Sequence, residues 1–151
     1  MKQQRGFGAI AAIVVLVILA VLAAAIVSIG AGQAIGSAQD VLSARAWQAA
    51  RGGNEWGLYK ALNSTTPADP WKTCSGLSTT INLTADTGFN VTVFCDSWLY
   101  NEGETVPGTA KTTRVYRIRA VACPAASCPD ASAAVAGVGY VERTRVVVAT
   151  N

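Results

Sequence analysis

Phe7-Gly8-Ala9-Ile10-Ala11-Ala12-Ile13-Val14-Val15-Leu16-Val17-Ile18-Leu19-Ala20-Val21-Leu22-Ala23-Ala24-Ala25-Ile26-Val27 is an unbroken apolar run, and no charged residue appears from Gly6 until Asp40. As a helix, the roughly 24 residues from Phe7 to Gly30 span about 36 Å, enough to cross a bilayer core of about 30 Å. A helix in a soluble core keeps a solvent face polar, and this stretch has none. The expectation is a membrane-embedded helix over 7–30.

Upstream lies a short basic leader, Met1-Lys2-Gln3-Gln4-Arg5-Gly6. Lys2 and Arg5 keep that end in the cytoplasm and direct the remainder outward. An ordinary secretory signal has a shorter apolar region with its cleavage site after it. Here the apolar run is longer, and the processing-like junction, Gly6 to Phe7, precedes it.

Downstream, a chain of 151 residues leaves room for one small exported domain beside that helix. The net charge of +3 is weak and scattered, with no basic block to follow a phosphate backbone, so no nucleic acid is expected as a partner. Histidine is absent, which removes Ser-His-Asp and Cys-His catalysis and His-ligated zinc. Ser28 and Ser37 have no general base near them in sequence. We expect no enzyme, no cofactor and no metal.

Gly30, Gly32 and Gly36 each weaken a helix by about 1 kcal/mol relative to Ala and mark a flexible or locally unwound zone. Helical periodicity resumes over Gln39 to Leu62, where Leu42, Ala46, Ala49, Gly53 and Trp56 share one face. Arg45, Gln48, Arg51 and Lys60 fall largely outside that stripe. Arg51 and Glu55 have the spacing of an i,i+4 ion pair. The small residues Ala46, Ala49, Ala50, Gly53 and Gly57 allow close approach, either of the chain's own sheet or of a helix in another subunit. Asn63-Ser64-Thr65-Thr66, Pro67 and Pro70 end the helix.

The remainder reads as strands. Thr79 to Thr84 alternates around Ile81 and Leu83, and Phe89 to Cys95 puts Phe89, Val91, Val93 and Cys95 on one side. Arg114 to Cys123 sets Tyr116, Ile118, Ala120 and Ala122 opposite Arg117 and Arg119. Tyr140 to Ala149 closes the series. Turn-prone Asn101-Glu102-Gly103-Glu104, Pro107-Gly108 and the Pro124–Gly139 region separate them. Successive strands with loop connections imply an antiparallel meander on the second half of the helix, an α+β fold.

Cys74, Cys95, Cys123 and Cys128 all follow the apolar run, on the exported side. An even count in an oxidising compartment reads as disulfides. Local pairing joins Cys123 to Cys128 and leaves Cys74 to Cys95; the other connectivities stay open. A four-thiolate zinc site is the competing reading, and it lacks the usual Cys-x2-Cys knuckles. Asp96, Glu102, Glu104 and Asp130 match no calcium-loop pattern and read as solvent-facing loop residues. Trp47, Trp56, Trp71 and Trp98 read as core aromatics in preference to a sugar platform.

A basic leader ending in Gly, then Phe, then a long apolar helix resembles the class III signal of type IV pilins and pseudopilins. The resemblance implies that a membrane prepilin peptidase cuts after Gly6 and that Phe7 becomes a methylated N-terminus. It also implies the type IV pilin-like architecture: a leader (1–6), a long N-terminal hydrophobic helix (7–62, with 7–30 transmembrane) packed against a small antiparallel β-sheet, and a periplasmic or extracellular β domain (63–151). Major pilins usually carry Glu at the fifth mature position, where this chain has Ala11. The segment from Ala44-Arg45-Ala46 through Ala49-Ala50 and Gly53 to Glu55-Trp56-Gly57, with Tyr100–Glu104 and Tyr140-Val141-Glu142-Arg143, is similar to minor pilin-like proteins of the MSHA biogenesis MshP type. That similarity implies a Gram-negative pilus component whose partners are prepilin peptidase, other major and minor pilins met through the N-terminal helix, the inner-membrane assembly machinery and inner-membrane lipid. It implies an inner-membrane single-pass location with a periplasmic C-terminal domain, and then the extracellular pilus. The absence of Glu at Ala11 suits a subunit that starts or caps an assembly. A static single-pass anchor carrying a periplasmic binding domain and a type II secretion pseudopilin are the alternatives.

Overall fold

The computed structural model describes residues 6–64, 66, 68–137 and 139–151. The leader residues Met1 to Arg5, together with Thr65 and Pro67 of the helix-ending segment, lie outside the described residues, as does the Phe7 side chain. The fold is α+β. An N-terminal helix, α1 (Gly6–Asn63), precedes β1 (Leu77–Leu83), a single-turn α2 (Thr84–Thr87), β2 (Phe89–Val106), β3 (Thr109–Cys123), a 3₁₀ turn (Ala133–Ala136) and β4 (Arg143–Thr150). The chain divides into two compact units, Met1–Asp40 and Val41–Asn151, so the boundary falls inside α1.

Within the first unit, Gly30, Gly32 and Gly36 stand in continuous α-helix, which corrects the expectation of an unwound zone. A glycine keeps its backbone N–H and C=O, so the i→i−4 ladder persists through it. Its cost of about 1 kcal/mol is spread along a helix rich in Ala and Ile.

Within the second unit the four strands form one antiparallel sheet in the order β1-β2-β3-β4, a simple meander. The helix-facing side carries Val91, Val93, Ile118 and Ala120, all fully buried, opposite Ala46, Ala49 and Ala50 of α1. The sequence-derived stripe is there: Ala46, Ala49 and Gly53 are buried, and Leu42 and Trp56 are half-buried. The buried face is wider than that stripe, because Ala50, Gly57 and Ala61 join it. Its width has a steric basis. A Cβ on Gly53 would stand 2.5 Å from Val91 Cγ1, and one on Gly57 would stand 2.7 Å from Ile118 Cγ2. Glycine at both positions lets backbone meet strand side chains directly.

Three expected boundaries move. The Asp96–Glu104 stretch belongs to β2, and the β2–β3 hairpin turns later, at Pro107-Gly108, where Gly108 takes φ 85°. The turn-prone Asn101–Glu104 signal instead marks an irregularity, a register shift between Asn101 and Glu104 with Gly103 at φ 109°. Glycine and asparagine chemistry suits a bulge as readily as a turn, and pairing with Thr109–Thr113 carries the strand through it. At the other end, Thr84 opens α2 rather than closing β1, and β4 begins at Arg143 rather than at Tyr140.

Candidate functional site

The first feature that points to function is the apolar segment of α1. Gly8–Ser28 has a mean hydropathy of 3.4 and none of it is buried. Its large side chains, from Ile10 to Val27, are between 51% and 71% exposed. That helix is long and apolar enough to span a membrane. Ala11 lies near its start, exposed, with no carboxylate on the helix before Asp40. Gly6, the residue expected before the scissile bond, is the first helical residue.

The second unit is held together by its cysteines and by a few buried polar contacts. Cys74 bonds to Cys95 and Cys123 to Cys128, and no cysteine is left free. The first bond ties the segment after α1 to β2. Around it the Ser97 hydroxyl donates to the Cys74 carbonyl at 2.9 Å, and the Tyr116 phenol donates to the Lys72 carbonyl at 2.8 Å. The second bond closes the loop after β3 over the face of the sheet away from α1. There the Cys128 N–H donates to the Thr92 hydroxyl at 2.8 Å and the Asn90 side chain donates to the Ala125 carbonyl at 2.8 Å. Val121, Phe94 and Tyr140 fill the small second core beneath that loop.

The carboxylates expected in loops have structural partners. Asp96, on β2, accepts the Gly76 N–H at 2.8 Å, and Glu104 accepts the Gly108 N–H at 3.0 Å. Glu102 pairs with Lys111 at 3.2 Å; hydrogen bonds from Thr113 and then Lys111 hold its carboxyl below the usual range. Asp130 accepts from the backbone and hydroxyl of Ser132. The Trp71 N–H, followed by Ser64 and Lys60, likewise lowers Asp69. Among the described residues no group of three metal-ligating side chains comes together. Arg51 and Glu55 do form the i,i+4 pair, at 2.9 Å and exposed.

The tryptophans divide. Trp56 and Trp71 meet edge to face at 4.9 Å in the core, whereas Trp47 and Trp98 are each 45% exposed, which corrects the reading of all four as core residues. Trp47 lies under the Arg145 guanidinium on the helix side of the sheet, and the strand alternation places Trp98 on the opposite side, so they form no shared platform. Shallow hollows among the described residues include one of about 340 Å³ beside Arg45, Gln48 and Asp86, and one of about 190 Å³ beside Lys60, Ser64 and Asp69.

Comparison with known protein families, curated proteins and solved structures finds no match. The weight therefore rests on the apolar helix, the leader before it, and the sheet that follows.

Proposed function

We propose that this chain is a minor pilin-like subunit of a type IV, MSHA-type pilus, acting in initiation, assembly or the tip complex after prepilin peptidase cuts between Gly6 and Phe7. The observation that carries the reading is the wholly exposed, uncharged helical segment Gly8–Ser28 directly behind a basic leader that ends in Gly6. The α+β architecture, in which the later part of α1 packs on a four-stranded antiparallel sheet, supports it.

Before assembly the apolar segment sits in inner-membrane lipid with the C-terminal unit in the periplasm. During assembly it exchanges lipid for the apolar helices of neighbouring pilins, and the inner-membrane machinery drives an extraction that does not occur spontaneously. Ala11 bears on position in the fibre. A carboxylate there would pair with the N-terminal ammonium of a neighbouring subunit, because each charge alone is costly in an apolar bundle. This chain offers an ammonium and no carboxylate, which suits a first or terminal subunit.

The deciding experiment is intact mass and N-terminal sequencing of membrane-extracted protein from cells with and without prepilin peptidase. A chain that begins at methylated Phe7 only when the peptidase is present supports the pilin-like reading. A chain that begins at Met1 in both overturns it and leaves a static single-pass anchor. Deleting pilus or type II secretion assembly genes separately then separates a pilus subunit from a pseudopilin.

A further inference from the structure

The outer edge of the sheet is open along β4. Arg114 and Asn151 exchange both backbone hydrogen bonds, at 3.1 and 3.0 Å. In an antiparallel ladder the bonded pairs alternate, so Arg145, Val147 and Ala149 face β3 through their backbones. Thr144, Val146, Val148 and Thr150 turn theirs outward, and among the described residues none of these outward groups has a hydrogen-bond partner. All four are exposed, Val146 by 48% and Val148 by 61%. β4 carries no proline and no register shift, two of the devices that blunt an edge against strand addition.

Arginines dominate the charge around this edge. Arg114, Arg117 and Arg119 on β3 and Arg143 and Arg145 on β4 make no ion pair; the ion pairs among the described residues are Arg51–Glu55 and Glu102–Lys111. Four of these guanidiniums are held by neutral partners: Ser97 by Arg114, the Phe94 ring by Arg119, Ser43 by Arg143 and the Trp47 ring by Arg145. Arg117 is exposed and lies between Val148 of β4 and Asp96 of β2, its cross-strand neighbours, with no ion pair to that carboxylate. The nearest carboxylate in sequence, Glu142, accepts the Tyr140 phenol at 2.8 Å. A strand laid on β4 would thus find main-chain donors and acceptors, two exposed valines on the side away from α1, and Arg143 and Arg145, which make no ion pair, on the α1 side.

We infer that the β4 edge binds an extended acidic segment of a partner protein by strand addition. The outward backbone groups of Thr144, Val146, Val148 and Thr150 supply the hydrogen bonds. Alternating aliphatic side chains of the partner cover Val146 and Val148, and its carboxylates, on the other side of the added strand, meet Arg143 and Arg145. The inference is independent of processing at Gly6, and it stands or falls separately from the pilin-like reading.

The test uses the full chain in detergent micelles and two synthetic peptides, Val-Glu-Val-Glu-Val-Glu-Val and its lysine counterpart Val-Lys-Val-Lys-Val-Lys-Val. We expect the glutamate peptide alone to bind, with affinity that falls as salt rises. Amide exchange should slow at Thr144, Val146, Val148 and Thr150. Val148→Pro removes an outward donor and leaves the β3 ladder intact, so it should weaken binding by about 10-fold or more without unfolding the unit. Arg143→Glu, on the side of the sheet that the peptide's carboxylates face, should weaken it several-fold. Equal binding of the lysine peptide, or unchanged exchange at those four amides, would overturn the inference. Concentration-dependent protection of the same amides without peptide would assign the edge to a second copy of this chain, and would overturn it as well.

Discussion

Gly52 and Gly53 are adjacent in α1 and opposite in consequence. Gly53 abuts Val91, Ala120 and Val93, while an added Cβ at Gly52 meets nothing within 4 Å. Gly53→Ala gains helix propensity and loses more to overpacking, so it should destabilise the second unit by about 1–2 kcal/mol. Gly52→Ala should stabilise it by about 0.5–1 kcal/mol, and thermal melts of the two variants decide the matter. Tyr140 makes a second residue-scale test. Burial, and then its hydrogen bond and proximity to Glu142, push the phenol up to about 12. The folded state thus favours the neutral phenol. The associated stability is fully present below the unfolded value near 10 and is lost as pH rises through the folded value. Wild-type stability should fall across that window more steeply than that of Tyr140→Phe, as followed by denaturant melts. Equal slopes would show that Tyr140 is not the group responsible.

At the scale of elements, the segment between α1 and β1 has little apolar surface of its own and depends on its attachments. Cys74–Cys95 spans a sequence separation of 21, and Trp71 and Tyr116 complete the anchor. Replacing both cysteines with serine should cost about 3 kcal/mol by release of loop entropy in the unfolded chain. Denaturant midpoints compared with a Cys123→Ser/Cys128→Ser pair, whose loop is shorter, measure it, and the shorter loop should cost less. The strand signals were legible because sheet alternation has a period of two: Phe89 to Cys95 and Tyr116 to Ala122 fall on the faces that their spacing implies. The hairpin end was not. Asn101–Glu104 has the composition of a turn, and only pairing with β3 shows that it is a bulged continuation of β2.

For the whole molecule, the decisive variants lie at the leader and at the fifth residue after it. Gly6→Val should block processing while the apolar segment still inserts; mature-length protein from that variant would defeat the cleavage proposal. Ala11→Glu should move the subunit from a restricted position toward distribution along the shaft, read by immunogold labelling of pili. An unchanged distribution would mean that the missing carboxylate has no part in placement.

By itself, the sequence determined a helix long and apolar enough to span a membrane, the α+β class, the helix face built on Ala46, Ala49 and Gly53, and the sides of β2 and β3. Each of these follows from local periodicity or from unbroken apolar length, and neither needs a distant partner to be read. Tertiary structure alone decided that Ala61 joins that face, and that Trp47 and Trp98 stay at the surface. It also decided that β2 runs on to Val106, and that β4 leaves one row of backbone groups open beside unpaired arginines. Those features depend on which strand lies beside which, and on how closely a helix can approach. Both are settled by contacts between residues far apart in the chain.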